Sequence, residues 1–427
     1  MVVMILQRRC GCFTAPGHYA DSSSEQAQRT VTLTTTNNSS RSFLNDVPAG
    51  LVPATVAKLM LAVAIRMPYV FIATVAHGLD TSVGRLGSLL GLAELVGLGT
   101  FVIGRSVDRG AHKFWLLVGV GSTVGGLFLM TMARSAPTFA FGFAGVTLGT
   151  SVYTVAVHAW IGNEVPYDRR GRVVGIIEMS WAMGVLLGAP IIGLIIALSS
   201  WHGPWALIGL GLVPLAVWLW RSFPDRPAAP RATERAPHAP LRITRRVILV
   251  LVTTFATAFG GTALFSTFGA WLEDDFSLSA TTIGFLSIAI GLAELVASFS
   301  TIRFSDRWGK TRSARRGLML MGVGAIAIAF GPNVVGLAVG TLVVAFLGFE
   351  FGIICMLSIA SEVGPENRGA VMSMNGVAGT LARASSAALA TSLSAAHGMA
   401  AAAAVTGVCA VVAVGCLSSP GIRAVAH

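Results

Sequence analysis

The sequence predicts an all-α integral membrane protein with twelve transmembrane helices in two pseudo-symmetric six-helix bundles. Its 427 residues are 54% hydrophobic and only 11% charged, and the mean hydropathy is +0.73. Soluble domains carry about one-quarter charged residues, so this chain lacks the polar residues to cover a water-facing surface. The ~30 Å bilayer core needs roughly 20 apolar residues per helix, and long apolar runs of that kind exclude a barrel of short alternating strands.

An internal repeat divides the chain into two halves. The hexapeptide Gly-Leu-Ala-Glu-Leu-Val at 91–96 recurs unchanged at 291–296. In the same order, Asp108-Arg109 recurs as Asp306-Arg307, and Glu164 recurs as Glu362. Duplicated hydrophobic halves are typical of membrane carriers, in which the solute site lies between the halves.

The repeat and the apolar runs predict five regions. Residues 1–50 are polar and rich in Ser, Thr and Asn, so we expect a disordered cytoplasmic tail. The bundles occupy 51–223 and 246–419, a Pro/Arg-rich cytoplasmic linker occupies 224–245, and 420–427 form a cytoplasmic tail. The predicted spans, named span 1 to span 12 in chain order, are 53–77, 83–103, 114–133, 137–161, 173–198, 203–222, 246–271, 280–302, 317–332, 334–360, 371–396 and 399–419.

The distribution of the 30 Lys and Arg residues predicts the orientation. Only Arg85 and Arg134 fall on one side of the predicted spans, while Arg66 and Arg383 fall within spans. All the others, Lys58 included, fall on the opposite side, which is therefore cytoplasmic. We expect a multi-pass protein of the cell membrane with both termini in the cytoplasm. Because the +11 net charge is dispersed among turns beside headgroups, it does not indicate a nucleic-acid partner.

The sequence contains no pattern that indicates an enzyme, a metal site or a cofactor. Cys10 and Cys12 form a lone C-x-C without a second ligand pair, which is not a zinc signature. No nucleophile and base occur at a recognisable spacing. We expect a monomer whose partners are a small-molecule solute, protons and the lipid bilayer.

Two related turns resemble a known family signature. Span 2 is followed by Gly104-Arg-Ser-Val-Asp108-Arg109-Gly-Ala-His-Lys, and span 8 is followed by Arg-Phe-Ser-Asp306-Arg307-Trp-Gly-Lys-Thr-Arg. With twelve spans and a basic central linker, the chain resembles the major facilitator superfamily, whose motif reads Gly-x-x-x-Asp-Arg-x-Gly-Arg/Lys-Arg/Lys. The second turn lacks the leading Gly, and the first lacks one residue before its second Gly. The resemblance covers residues from about 50 to the C-terminus and implies that fold and a transport function.

The resemblance also implies a cytoplasmic gate. Asp108 or Asp306 would accept hydrogen bonds from backbone N–H groups at a neighbouring helix start. Arg109 or Arg307 would pair with a nearby acid, for which Glu164 and Glu362 at the ends of spans 4 and 10 are candidates. In the resembled family this cluster stabilises the outward-facing state. The alternative is that these charges only keep the turns in the cytoplasm.

Span 5 contains a second element that resembles the family. Gly184, Gly188, Pro190 and Gly193 follow the Gly-x-x-x-Gly-Pro-x-x-Gly pattern of its proton-driven exporters, except that Ala189 intervenes before the proline. Small residues and a proline permit a close, bent contact between the halves, which favours export. Ordinary helix packing is the alternative.

Ionisable side chains at membrane depth are functional candidates, because each costs at least ~2.5–3.5 kcal/mol to insert. They are Arg66 in span 1, Glu94 in span 2, Glu178 in span 5, Glu294 in span 8, Glu350 in span 10 and Arg383 in span 11. Four acids exceed two arginines, so at least some carboxyl groups must be protonated in some state. A carrier of protons requires this.

The family fold implies specific pairings among these groups. If span 2 faces span 11 and span 5 faces span 8, Glu94 and Arg383 form an ion pair across the halves, and Glu178 and Glu294 are like charges that come close in one state of the transport cycle. Arg66 would neutralise Glu178 or hold an anionic solute. Glu94 and Glu294 occupy equivalent repeat positions, so a shared structural role stays open for both.

The sequence leaves the substrate and the direction of transport open. The leading hypothesis is proton-driven efflux of a drug-like or metabolite solute. The alternatives are proton-coupled uptake of a small organic anion held by Arg66 and Arg383, and a non-transporting receptor or lipid-handling protein.

Overall fold

Each predicted span is helical in the computed structural model of the chain. The structure describes residues 50–102, 106–107, 111–223, 243–363 and 368–419, and these contain no strand. The predicted tails at 1–50 and 420–427 and the linker at 224–245 fall almost entirely outside the described residues. The predicted all-α class is confirmed.

The helices of the first half correspond to spans 1 to 6. They are Leu51–Val70 and Ile72–Gly78 in span 1, Val83–Glu94 and the 3₁₀ helix Leu95–Val102 in span 2, His112–Thr131 in span 3, Ala136–Glu164 in span 4, Tyr167–Glu178 and Ser180–Leu198 in span 5, and Gly203–Ser222 in span 6.

The helices of the second half correspond to spans 7 to 12, and none of them is interrupted. They are Arg245–Asp274 in span 7, Ala280–Trp308 in span 8, Lys310–Ala329 in span 9, Val335–Glu362 in span 10, Arg368–His397 in span 11 and Met399–Ser418 in span 12.

Within the described residues, 9 helices are long and apolar enough to cross a membrane. Spans 2, 9 and 11 are helical but are not among them. Span 2 loses its α-helical form after Glu94, span 9 begins with several basic residues, and span 11 is rich in Ser, Thr and Asn.

Local sequence signals determine where the helices begin and end. The hydroxyls of Ser82, Ser135 and Ser279 each accept the backbone N–H three residues later, which caps spans 2, 4 and 8. Gly309 ends span 8 with φ +79°, a conformation that glycine adopts without a steric cost. Gly309 therefore reverses the chain between spans 8 and 9.

The two halves repeat the same packing. In the first half span 3 packs on spans 4 and 6, span 1 on span 5, and span 2 on span 4. In the second half span 9 packs on spans 10 and 12, span 7 on span 11, and span 8 on span 10. The sequence repeat is thus a repeat of structure.

The halves meet along three helix pairs, spans 1 and 7, 2 and 11, and 5 and 8. A methyl group added at Gly193 or Gly284 would lie 2.5 Å from the carbonyl oxygen of Ala280 or Ala189 in the opposite half. By contrast, nothing lies within 4 Å of that position at Gly175 in span 5 or at Gly376 in span 11. The first segment of span 5, Tyr167–Glu178, packs on spans 1 and 4 of its own half and not closely on the second half. The halves therefore touch at one end, here called the closed end, and separate at the other, the open end, where span 9 begins with its basic residues.

The outer surface of the bundle is apolar. Large hydrophobic side chains point outward along many spans, including Phe141 at 74% exposure and Phe330 at 86%. Exposed apolar area on this scale marks contact with another apolar phase, which for helices of this length is the bilayer.

Candidate functional site

Arg66 lies at the centre of the contact between the halves. Its Nη1 and Nη2 donate to Oε2 and Oε1 of Glu294 at 2.9 and 2.6 Å, which makes a bidentate ion pair from span 1 to span 8. Nη1 also donates to the backbone oxygen of Trp181 at 2.9 Å. The guanidinium lies 4.3 Å from the ring centre of Phe265. The prediction that Arg66 neutralises Glu178 is therefore wrong, because both terminal nitrogens of Arg66 donate to Glu294.

Glu350 in span 10 shares the surroundings of this ion pair. Its carboxyl group is partly buried, and the charges of Glu294, Arg66 and Glu178 all act on it. Ser298 Oγ lies 3.5 Å from Oε1. No cation among the described residues lies within salt-bridge distance of Glu350. Two carboxyl groups from spans 8 and 10 thus face one guanidinium.

Glu178 belongs to a second cluster in the first half. It is the last residue of the helix Tyr167–Glu178, and span 5 is interrupted directly after it at Met179. His158 Nε2 lies 3.0 Å from Glu178 Oε1, and both side chains are more than one-third exposed toward the open end. The expected approach of Glu178 to Glu294 is absent in this conformation, because each carboxylate has a different partner.

Lys58 completes this cluster from span 1. It is fully buried, and its Nζ donates to Thr154 Oγ1 at 2.5 Å. The ammonium lies 5.3 Å from the ring centre of Trp181, and the charge of Glu178 acts on it. Sequence reasoning missed Lys58 by counting it with the basic residues outside the spans. Its position two turns inside span 1 is the signal that would have identified it.

Glu94 and Arg383 form the ion pair that was predicted between spans 2 and 11. Arg383 Nε donates to Glu94 Oε2 at 3.1 Å, and Tyr69 Oη donates to Oε1 at 3.1 Å. Glu94 is 4% exposed, whereas the Arg383 side chain is 48% exposed. Arg383 Nη2 donates to Thr380 Oγ1 at 3.2 Å in the same helix. Like Glu178, Glu94 is the last residue of an α-helical segment.

The predicted gate cluster is only partly described. Asp108, Arg109 and the side chain of Asp306 lie outside the described residues. Glu164 ends span 4 as expected.

The second copy of the gate differs from the expectation. Glu362 at the end of span 10 binds Lys310 Nζ, not Arg307, whose side chain is exposed. Gly309 reverses the chain, so Lys310 begins span 9 beside span 10 while Arg307 stays on the outer side of span 8.

The glycine element of span 5 serves two contacts. Methyl groups added at Gly184 and Gly188 would meet Ala62 and Val63 of span 1, in the same half. Gly193 and Pro190 instead face span 8, in the opposite half. The predicted contact between the halves is therefore made by Pro190 and Gly193 and not by Gly184 and Gly188, because side chains on successive turns of one helix face different neighbours.

The closed end carries a polar contact that sequence reasoning did not find. Thr74 Oγ1 in span 1 donates to Glu273 Oε2 in span 7 at 2.7 Å. His77 Nδ1, one turn further, lies 3.4 Å from Glu273 Oε1. Thr74 and Glu273 lie near the outer ends of predicted spans, and no local pattern indicates which ends meet.

Comparison with known proteins identifies the family. The model of the Major Facilitator Superfamily matches residues 54–387, most of the chain. The chain belongs to the major facilitator superfamily. It is therefore a multi-pass membrane transporter of that family. The predicted resemblance and fold are confirmed.

Several superfamily members are similar in sequence. The chain is 27% identical over 288 residues to the uncharacterised MFS-type transporter YceJ of Bacillus subtilis (strain 168), covering 65% of this chain and 72% of that protein. It is 23% identical over 240 residues to a hexuronate transporter of the same organism, covering 51% of this chain and 54% of that protein.

Solved structures of the superfamily share the fold. A bacterial homologue of the human lysosomal transporter Spinster, inward-facing and unoccupied, aligns with a TM-score of 0.65 at 15% identity, covering 91% of this chain and 96% of that one. The human organic anion transporter MFSD10 aligns with a TM-score of 0.63 at 15% identity, covering 87% and 99%. At this identity the similarity concerns the fold alone.

Proposed function

We propose that this superfamily member is a proton-coupled exporter that works by alternating access and moves a drug-like or small metabolite solute out of the cell. The observation that carries the proposal is the excess of carboxyl groups around Arg66. Glu294 accepts from both terminal nitrogens of Arg66, and no cation among the described residues pairs with Glu350, on which the charges of both act. One cation cannot neutralise two enclosed carboxylates, so one of the two carboxyl groups carries a proton whenever both are enclosed.

The arrangement links protonation to conformation. Arg66 belongs to the first half, whereas Glu294 and Glu350 belong to the second. A rocking movement of the halves therefore changes which carboxylate the guanidinium reaches, and the other carboxylate must then gain a proton or face water. Such a differential interaction is what couples a bound proton to a conformational equilibrium.

Charge distribution supports the direction of opening. The open end carries the basic turns, so we assign it to the cytoplasm and the conformation to the inward-open state. In this state solute enters from the cytoplasm, and Glu178, His158 and Arg383 are reached from that side. The Gly184–Gly193 element, which resembles that of proton-driven exporters, supports export over uptake.

The test uses everted membrane vesicles with an imposed pH gradient and a panel of drug-like and metabolite compounds. We expect at least one compound to dissipate the gradient in wild-type vesicles. Glu350→Gln should abolish this dissipation while solute exchange without a gradient persists. Asp275→Asn, which neutralises an exposed acid at the closed end, is the matched control and should behave like wild type. The proposal fails if no compound affects the gradient and wild type and Glu350→Gln behave identically.

A second candidate, uptake of a small organic anion, is favoured by Arg383. Its guanidinium is only partly occupied by Glu94 and is half-exposed toward the open end. Arginine binds carboxylates in a bidentate way, and one relative in sequence is named a hexuronate transporter. Arg66 does not fit this role, because Glu294 occupies it. Accumulation of labelled acids by whole cells, lost in Arg383→Ala and partly kept in Arg383→Lys, would favour uptake over efflux.

A further inference from the structure

Exposed arginines gather where spans 8 and 9 meet at the open end. Arg303 and Arg307 end span 8, and Arg312 and Arg316 begin span 9. All four side chains are exposed, and within the described residues none forms an ion pair or a hydrogen bond. Glu362, the acid at the end of span 10, is held by Lys310. We call these four residues the arginine patch.

The arginine patch continues the lipid-facing surface of span 8. Val296, Phe299, Arg303 and Arg307 are spaced three, four and four residues apart, which places them on one face of the helix. Val296 is 52% exposed and Phe299 is 54% exposed. The two arginines therefore stand where the apolar outer face of span 8 reaches its end.

Span 9 has the same arrangement of arginines and exposed apolar side chains, with the arginines first in the chain. Arg312 and Arg316 precede Met319 and Val323 on one helical face, and these two apolar side chains are 49% and 58% exposed. The exposed apolar faces of spans 8 and 9 thus each end in two exposed arginines.

An exposed aromatic side chain lies within the patch. Trp308 is 39% exposed, stacks on Phe304 with 4.8 Å between ring centres, and lies under the guanidinium of Arg316 at 4.6 Å. Tryptophan is enriched at the level of lipid headgroups, because one edge is polar and the ring is apolar. The depth of the patch therefore corresponds to the boundary between acyl chains and headgroups.

We propose that the arginine patch binds the phosphate group of an anionic phospholipid, whose acyl chains lie along the outer faces of spans 8 and 9. Guanidinium groups bind phosphate oxygens in a bidentate way. Arginines that pair with no described acid, next to apolar helix faces, match a molecule that is anionic at one end and apolar at the other. A soluble polyanion would bind the arginines alone and would make no contact with the adjoining apolar faces. The proposal concerns a surface outside the transport path and does not depend on the solute or on proton coupling.

Binding is tested on the purified full-length protein in nanodiscs of phosphatidylcholine, with and without phosphatidylglycerol or cardiolipin. Native mass spectrometry measures which lipids stay bound, and thermal unfolding measures their effect on stability. Arg312→Gln/Arg316→Gln and Arg303→Gln/Arg307→Gln remove half of the patch each. Arg85→Gln/Arg134→Gln removes the same charge from exposed positions at the closed end and is the matched control.

We expect anionic lipid to be retained and to raise the unfolding temperature of wild type. Each patch variant should weaken this binding roughly tenfold or more, since one surface arginine contributes about fivefold, and the control should not. Arg312→Lys/Arg316→Lys should keep part of the affinity. The proposal is overturned if anionic lipid is no better retained than phosphatidylcholine, if the control loses binding as much as the patch variants, or if inorganic phosphate or heparin competes fully with the lipid.

Discussion

Arg66 is enclosed on every side by groups that suit a guanidinium. Glu294 takes two of its donors, the Trp181 carbonyl takes another hydrogen bond, and the Phe265 ring covers one face. The pair is nearly buried, with side-chain exposures of 12% and 2%. Removing one partner from such a pair leaves an uncompensated buried charge. The resulting loss of folding free energy is larger than the net stabilisation that the intact pair contributes.

At the residue scale this predicts that Arg66→Ala lowers the free energy of unfolding by about 3–5 kcal/mol. Arg66→Ala/Glu294→Gln should recover most of the loss, because the second substitution removes the unpaired carboxylate. Reversible unfolding in mixed detergent micelles measures both. Arg85→Ala, at an exposed position, should change stability by less than about 0.5 kcal/mol. A double variant as unstable as the sum of its single changes would contradict this account.

At the element scale, close backbone contact between spans 5 and 8 holds the closed end together. Gly284 faces the Ala189 carbonyl and Pro190, and Gly193 faces Ala280, so each span presents a glycine to the backbone of the other. Where helices lack a hydrophobic driving force, as in lipid, such close packing supplies much of the attraction between them. Side chains larger than hydrogen at these positions must push the helices apart.

Gly284→Val is therefore expected to open the closed end and to reduce solute flux in proteoliposomes at least about tenfold, while the protein still folds. The opening is measured as faster maleimide labelling of Thr281→Cys in a cysteine-free background, since Thr281 hydrogen-bonds to Gly193 in the closed contact. Gly340→Val is the control, because nothing lies within 4 Å of its added carbon. Unchanged labelling in Gly284→Val would show that the contact is not what closes this end.

At the scale of the whole molecule, the halves have the same internal packing but different interruptions. Spans 1, 2 and 5 of the first half change direction or helix type at Phe71, Glu94 and Met179, whereas the helices of the second half are continuous. Two of these interruptions directly follow a glutamate of the candidate site. Changes of helix type within a span often mark hinges, so we place the bending of the alternating-access cycle in the first half.

Alternating access also requires the closed end to open, which predicts that fixing it stops transport. Thr74→Cys/Glu273→Cys replaces side chains that now share a hydrogen bond and should cross-link on mild oxidation once the 5 native cysteines are replaced by serine. Solute flux should fall to the background level and return on reduction, and neither single variant should respond. Full flux through the cross-linked protein would rule out movement of spans 1 and 7 as a necessary step.

The sequence alone determined the class, the repeat, the helical spans and most of the buried charges. These follow from local quantities, the length of apolar runs and the cost of a charge at membrane depth, which do not depend on how helices pack. The pairing of Glu94 with Arg383 also followed once the family resemblance placed span 2 against span 11.

Only the tertiary structure decided which other charges meet. Arg66 binds Glu294 instead of Glu178, Lys310 replaces Arg307 beside Glu362, and Lys58 lies fully inside the bundle. These outcomes depend on the rotation and depth of each helix relative to neighbours that are distant in sequence. Close glycine contacts such as those of Gly193 and Gly284 set the rotation of these helices. The pattern of residues within a single span does not predict that rotation.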